Sequence, residues 1–156
     1  MPYNLPNRLN KQQATNLLSK VDNFLFDCDG VLWHWPNIIP GSIECINKLK
    51  SLGKKCFFIT NNSTKTRQTY FEMIQKVGVN NASIDDIVCT AWILARYLKS
   101  IDFKHKIYTI GSPAMGTELD NLELRHIGIG CNRHLFPDPA KCNYSEVMKL
   151  KLFFKR

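Results

Sequence analysis

The chain has 156 residues, of which 44% are hydrophobic and 22% charged, and it carries a formal net charge of +8. These proportions are ordinary for a globular protein and exclude a disordered or collagen-like chain. No apolar run approaches the roughly eighteen residues of a transmembrane helix, and the first residues lack the apolar core of a signal peptide. We therefore expect one cytoplasmic domain, or one domain with part of another.

Six cysteines and the positive charge raise other possibilities. Without a secretory signal, the cysteines are expected to be reduced, and most lie in apolar runs that favour burial. Cys131, His134 and Cys142 have irregular spacing, which favours an unremarkable tail over a zinc site. The dispersed lysines argue against a nucleic-acid partner, and the short basic end KLKLFFKR is poor evidence for a membrane partner.

Helical and strand patterns alternate along the first 130 residues. The pattern predicts helices at 10–20, 42–52, 64–77, 91–100 and 113–121, and strands at 23–27, 56–60, 86–90, 106–110 and 123–128. The nearly unbroken apolar run NFLFD is typical of a strand buried on both faces, and the following segment 28–41 reads as a loop. Regular alternation with short connections predicts an α/β fold with parallel sheets flanked by helices.

Two aspartates follow the first predicted strand, in the order Asp27, Cys28, Asp29, Gly30. Ligands of parallel α/β sheets bind at the carboxyl ends of strands, and Gly30 permits a bend that turns both carboxylates toward one crevice. One carboxylate can attack phosphorus while the other transfers a proton, and paired carboxylates also bind Mg²⁺. The alternative is that Asp-Gly is only a turn signal. Its position after a buried apolar strand weakens that alternative.

A second polar cluster, from Thr60 through Ser63, follows the next predicted strand. A hydroxyl, side-chain amides and free backbone N–H groups at a helix start suit a bound phosphate. The alternative is helix capping, which Asn, Ser and Thr supply routinely. Both hold together if Ser63 or Thr64 caps the helix while Thr60 and Asn61 face the ligand.

The segments FLFDCDGVLW (24–33) and FFITNNSTKTR (57–67) together resemble the haloacid dehalogenase superfamily of phosphohydrolases. Within it, they are similar to the phosphoglycolate, pyridoxal phosphate and 4-nitrophenylphosphate phosphatase branch. The resemblance implies a Rossmann-like parallel sheet core, of which this chain holds the first half, with the beginning of an α/β cap. The implied divisions are a polar segment at 1–19, the half core at 20–103, the cap start at 104–130 and an unaligned basic tail at 131–156.

The resemblance also implies roles for individual residues. Asp27 would be the phosphorylated nucleophile and Asp29 the general acid and base. Both would help bind Mg²⁺, Asp29 through its backbone carbonyl. Thr60 would hydrogen-bond the transferring phosphoryl group, with Asn61 and Asn62 supporting it.

The same resemblance implies a flap at residues 31–40, in which Trp33 and Trp35 either serve the site or simply pack, and His34 lies at the surface. The family's later lysine and acidic motif do not occur after residue 64. The chain is therefore expected to leave strand 23–27 unpaired on one side and to have little or no activity alone.

The expected function is a Mg²⁺-dependent phosphatase acting on a small phosphorylated metabolite through an aspartyl-phosphate. It would be most like phosphoglycolate phosphatase, with a homo-oligomer left open for the full-length form. The alternative is a non-catalytic truncated isoform or fragment of such an enzyme.

Overall fold

The computed structural model describes residues 9–128, which form an alternating α/β structure. Its elements are α1 (Lys11–Lys20), β1 (Asn23–Asp27), β2 (Trp33–His34), β3 (Asn37–Ile38), α2 (Ser42–Ser51), β4 (Lys55–Thr60), α3 (Arg67–Lys76), a 3₁₀ turn (Ile84–Asp86), β5 (Ile87–Cys89), α4 (Thr90–Ser100), β6 (Ile107–Thr109), α5 (Pro113–Asp120) and β7 (His126–Gly128). The predicted α/β class is confirmed. Among these helices, none has the length and hydropathy needed to cross a bilayer.

Strands β1, β4 and β5 form one parallel sheet, which we call the main sheet, in the order β1-β4-β5. Asp27 lies opposite Ile59, and Thr60 lies opposite Cys89. Because the strands run in the same direction, their carboxyl ends meet at one edge of the sheet. The polar residues that follow β1 and β4 are thereby brought side by side.

Two smaller sheets complete the described part of the chain. Strands β2 and β3 pair antiparallel inside the segment that was predicted to be a loop, so residues 28–41 contain a short hairpin. Strands β6 and β7 pair in parallel, and α5 connects them. This β6-α5-β7 unit packs against α4, where Ala95 of α4 and Leu119 of α5 belong to one buried cluster. The unit is therefore tied to the helix that leaves the main sheet.

The core lies between the main sheet and helices α2 and α3. On α2, Ile43, Ile46 and Leu49 share one face and are buried, whereas Leu52, directly after the helix, is 48% exposed. The largest fully buried side chains in this core are those of Trp33, Tyr70 and Phe58. A fully buried aromatic side chain of this kind typically stabilises a fold by several kcal/mol.

Strand β1 differs from its prediction. The strand forms at the expected residues, but none of its five residues is buried, and the Leu25 side chain is 64% exposed. Within residues 9–128, β1 pairs with β4 alone, so its other edge is unpaired, as expected. An apolar sequence is compatible with burial of both faces of a strand. Whether the faces are buried depends on other segments that pack against the strand.

Helix α3 begins later than predicted. Thr66 is its N-cap, since the Thr66 side chain accepts a hydrogen bond from the Thr69 N–H, and the helix starts at Arg67. The expectation that Ser63 or Thr64 caps this helix is therefore wrong. Further along the chain, Ser83 and Asp86 form a capping box on the 3₁₀ turn.

Predictions for Cys131, His134, Cys142 and the basic tail fall outside the described residues.

Candidate active site

A tight turn follows β1 and carries the two aspartates. The Cys28 carbonyl accepts a hydrogen bond from the Leu32 N–H at 2.9 Å, and the Gly30 N–H donates to the Trp33 carbonyl at 2.8 Å. Gly30 has φ = +83°, a conformation that glycine adopts without a side-chain clash. The predicted bend after Asp27 is confirmed.

Asp29 links the two polar clusters that the sequence singled out. Its Oδ2 accepts a hydrogen bond from the Asn62 side-chain Nδ2 at 3.2 Å. Its Oδ1 accepts one from the Trp33 indole Nε1 at 3.0 Å. Both carboxylate oxygens are therefore held by neutral donors, one from the hairpin and one from the loop after β4.

Asp27 opens onto a groove. One of its carboxylate oxygens accepts the Cys28 N–H at 2.7 Å. The groove has a volume of about 260 Å³ and is lined by Leu25, Phe26, Asp27, Ile59 and Asn61. Asp27 and Asn61 thus share one opening at the carboxyl edge of β1 and β4.

Thr60 and Asn62 shape the polar loop, which we define as residues 61–66. The Thr60 side chain is buried, and its Oγ1 accepts the Asn62 N–H at 3.1 Å. The Asn62 Oδ1 in turn accepts the Thr64 N–H at 3.0 Å and the Thr64 hydroxyl at 2.6 Å. This Asx turn fixes the side-chain amide of Asn62 so that its NH₂ group faces Asp29.

Cys28 lies between the two aspartates but is not a competing nucleophile. Burial, followed by the negative charges of Asp27 and Asp29, raises the pKa of the Cys28 thiol from 9.0 to about 12. The thiol is therefore protonated at neutral pH, whereas only a thiolate is strongly nucleophilic. The carboxylates remain the nucleophile candidates of this turn.

The first N–H groups of α3 do not serve the role expected of them. The Arg67 N–H donates to the buried carboxylate of Glu118 at 2.5 Å, and the Thr69 N–H donates to Thr66. The expectation that the helix start offers free N–H groups to a phosphate is wrong for both residues. The reason is that a carboxylate from a distant helix occupies the favourable N-terminal position.

Three contacts at this site were missed by the sequence analysis. Trp33 both packs in the core and holds Asp29, so packing and site support coincide in one side chain. The Thr90 hydroxyl donates to the Asn61 carbonyl, and the Tyr70 hydroxyl donates to the Asn62 carbonyl. Thr90 directly follows β5, so the rule that identified Thr60 also pointed to it, whereas nothing in the sequence gave the partner of the Tyr70 hydroxyl.

The two aspartates carry the type of ligand atom that Mg²⁺ takes. Mg²⁺ takes oxygen ligands, often one or two carboxylates together with water and phosphate oxygens, and Asp27 and Asp29 match it in chemical type. Within residues 9–128, no group of three or more His, Cys, Asp or Glu side chains is placed to hold a metal. Asp27 and Asp29 therefore fit Mg²⁺ in chemical type.

Comparison with known proteins points to one family. The sequence profile of the haloacid dehalogenase-like hydrolases matches residues 24–125. Over 131 residues the chain is 39% identical to human glycerol-3-phosphate phosphatase, a match that covers 79% of this chain and 40% of that protein. It is 35% identical to the chloroplastic phosphoglycolate phosphatase 1A of Arabidopsis thaliana over 119 residues, which cover 75% of this chain and 33% of that protein.

Among solved structures, the p-nitrophenyl phosphatase from Archaeoglobus fulgidus superposes with a TM-score of 0.67 at 28% identity. The superposition covers 83% of this chain and 49% of the archaeal one. In all three comparisons, the chain spans half or less of the length of the protein that it matches.

Proposed function

Because the chain belongs to the haloacid dehalogenase-like hydrolase family, we propose that it carries the nucleophile side of a Mg²⁺-dependent phosphomonoester phosphatase site. The observation that carries this proposal is the hydrogen bond between Asn62 and Asp29. It joins the polar residues after β1 to those after β4, at the edge where parallel sheets bind ligands.

The proposed reaction has two steps. A carboxylate oxygen of Asp27 attacks the phosphorus, and the bond to the ester oxygen breaks while Asp29 gives that oxygen a proton. Asp29 then takes a proton from water, whose oxygen attacks the aspartyl-phosphate and releases inorganic phosphate. Asp27 is suited to the attack because it lines the open groove, and the Asp29 carboxylate is held by hydrogen bonds from Trp33 and Asn62.

The other roles follow the same arrangement. We assign the Thr60 hydroxyl and the amides of Asn61 and Asn62 to the transferring phosphoryl group. Mg²⁺, held by the Asp27 carboxylate and the Asp29 carbonyl, would offset the charge of the phosphate dianion.

The proposed substrate is a small phosphorylated metabolite in the cytosol, with no nucleic-acid or membrane partner. Phosphoglycolate is our first candidate, and glycerol 3-phosphate, pyridoxal phosphate and 4-nitrophenyl phosphate follow. The names of the relatives support the ester class rather than one compound. A homo-oligomer is proposed only for the full-length form.

Two observations favour a second candidate, a non-catalytic chain. Within residues 9–128, β1 has an unpaired edge, and the aspartates lack a third metal ligand. A chain of this kind would bind another chain at that edge rather than turn over substrate.

A phosphate-trapping experiment separates the two candidates. The purified chain is mixed with Mg²⁺ and ³²P-labelled phosphoglycolate or 4-nitrophenyl phosphate, quenched in acid and mapped for label. Although turnover by the chain alone should be low, we expect label on Asp27, none in Asp27→Asn, and normal labelling in Asp22→Asn, whose carboxylate lies before β1 and pairs with Lys54. A wild-type chain without label would contradict the phosphatase proposal and favour the non-catalytic one.

A further inference from the structure

The polar loop is fastened by hydroxyl groups from three separate places. The carbonyls of Asn61, Asn62 and Ser63 are consecutive, and each accepts a hydrogen bond from a side-chain hydroxyl. The donors are Thr90 at the start of α4, Tyr70 in α3, and Ser112 directly before α5. Three such bonds in succession fix the backbone of a loop that contains no regular structure of its own.

Ser112 differs from Asn10, Thr66 and Ser83, the other N-cap residues within residues 9–128 that have a polar side chain suited to capping. It occupies the N-cap position of α5, yet its side chain makes no capping bond to that helix. Its hydroxyl donates instead to the Ser63 carbonyl at 2.5 Å. A serine at this position typically stabilises its own helix, whereas the Ser112 side chain contributes to the loop instead.

Glu118, six residues further along α5, binds the other end of the loop. Its side chain is 3% exposed, and its Oε1 accepts the Arg67 N–H, just beyond the loop. A buried carboxylate needs such partners, and the N-terminus of α3 is electrostatically favourable for it. The Arg67 side chain is also fixed, because its Nε donates to the Ile87 carbonyl and its guanidinium stacks 3.9 Å from the Trp92 ring centre.

We propose that Ser112 and Glu118 are positioning residues, through which α5 holds the polar loop so that Asn62 meets Asp29. Ser112 contacts Ser63, within the Asx turn that orients the Asn62 amide, and Glu118 contacts Arg67, just beyond the loop. The β6-α5-β7 unit thereby controls part of the site that lies on the main sheet. The catalytic meaning of this role rests on the proposed function, but the anchoring itself does not.

Four variants test the role. Ser112→Ala and Glu118→Leu each remove one contact with the loop. Glu118→Gln keeps an acceptor oxygen for the Arg67 N–H and serves as the conservative rescue. Thr117→Ala is the matched control, because the Thr117 hydroxyl is on the same helix but bonds only the Pro113 carbonyl.

The first measurement is NMR of the full chain, without any ligand. In Glu118→Leu, we expect hydrogen exchange at the Arg67 amide to accelerate about tenfold, which corresponds to one lost hydrogen bond. In both Ser112→Ala and Glu118→Leu, the Asn62 side-chain amide signals should shift, while Glu118→Gln and Thr117→Ala resemble the wild type. A role in packing alone would lower the melting temperature without moving the Asn62 signals. Wild-type Asn62 signals in Ser112→Ala overturn the proposal, even if Glu118→Leu does not fold.

The second measurement is binding of inorganic phosphate in the presence of Mg²⁺, by calorimetry. We expect Ser112→Ala and Glu118→Leu to bind about three- to tenfold more weakly, and Glu118→Gln and Thr117→Ala to match the wild type. Equal affinity in all variants would show that the anchor does not serve the site, which overturns the proposal. If the wild-type chain binds no phosphate, the proposed function fails, and the NMR measurement still decides whether α5 anchors the loop.

Discussion

The two sides of the candidate site are built differently. Asp27 ends β1, a strand with no buried residue, whose partner within residues 9–128 is β4 alone. The polar loop follows β4, a strand whose side chains alternate between buried and half-buried, and three helical elements supply hydroxyls to its carbonyls. One side of the site is therefore braced by tertiary contacts, while the other side depends on a single neighbouring strand.

The contrast shows which side chains of the site are positioned by contacts within residues 9–128. The position of Asn62 is determined by contacts with α3, α4 and α5. The position of Asp27 is determined mainly by the turn that follows it and by the register with Ile59. We expect the position of Asn62 to be unchanged by mutations in β1. The position of Asp27 should depend on whatever pairs with the free edge of β1.

The largest expected effect is on stability, and it contrasts the two strands. Phe58 in β4 is fully buried, whereas Leu25 in β1 is 64% exposed. Phe58→Ala should lower the free energy of unfolding by about 3–5 kcal/mol through lost burial and a residual cavity. Leu25→Ala should cost less than about 0.5 kcal/mol, as for a surface site. Urea unfolding followed by circular dichroism measures both, and equal losses would show that β1 is covered in solution.

A second effect concerns self-association at the edge of β1. An exposed apolar edge strand without proline or lysine is a template for pairing with another chain. At tens of micromolar, a range in which exposed strand edges associate, we expect the wild type to form dimers or larger species. Leu25→Lys should shift the population toward monomer in sedimentation velocity. Leu52→Lys, at a similarly exposed leucine after α2, is the control and should leave the distribution unchanged. A monomeric wild type would contradict this prediction.

The sequence predicted the arrangement of the site better than the burial of its strands. Alternation predicted parallel strands, whose carboxyl ends meet when they are neighbours, so the polar clusters after β1 and β4 were expected at one edge. The hydrogen bond between Asn62 and Asp29 joins these two clusters. Burial of β1 was predicted incorrectly, because Leu25 and its neighbours form an apolar run whatever lies beside them. The number of partners that a strand has is not a local property of its residues.

The start of α3 shows a second limit. Ser63, Thr64 and Thr66 are all competent N-caps, so residue type cannot choose among them. The choice follows from contacts that the local sequence does not contain, because Asn62 binds Thr64 in an Asx turn and Glu118 binds the Arg67 N–H from 51 residues away. Contacts over such separations depend on the packing of α5, which no spacing rule predicts.

A third effect tests whether the solvent exposure of β1 extends into the turn that follows it. Cys28 directly follows β1 yet is fully buried, with a thiol pKa of about 12 against an ordinary value of 9.0. Above pH 9 the unfolded chain loses this proton while the folded chain keeps it. Stability that is complete below pH 9 is therefore lost as the pH rises toward 12, on the order of 1 kcal/mol by pH 10.

Urea unfolding between pH 8 and 11 measures this loss for the wild type and for Cys28→Ala. The variant should show a shallower decline, although some slope remains because burial also raises the pKa of Tyr70, Cys56 and Cys89. Identical slopes would mean that the Cys28 thiol is open to solvent, and that the exposed region of β1 extends into the turn.

The smallest expected effect is a difference in reactivity among cysteine thiols on the two sides of the site, after β1 and in β4 and β5. It involves no change in stability. Cys45 on α2 is exposed, whereas Cys28, Cys56 and Cys89 are buried, the first after β1 and the others in β4 and β5. At pH 7.5 iodoacetamide should alkylate Cys45 readily in the folded chain and the three buried thiols only after unfolding in urea, since both access and thiolate formation are restricted by burial. Peptide mapping by mass spectrometry assigns each site. Cys56 and Cys89 act as internal controls. Faster alkylation of Cys28 than of these two would show that the turn after β1 becomes accessible to solvent while β4 and β5 remain protected.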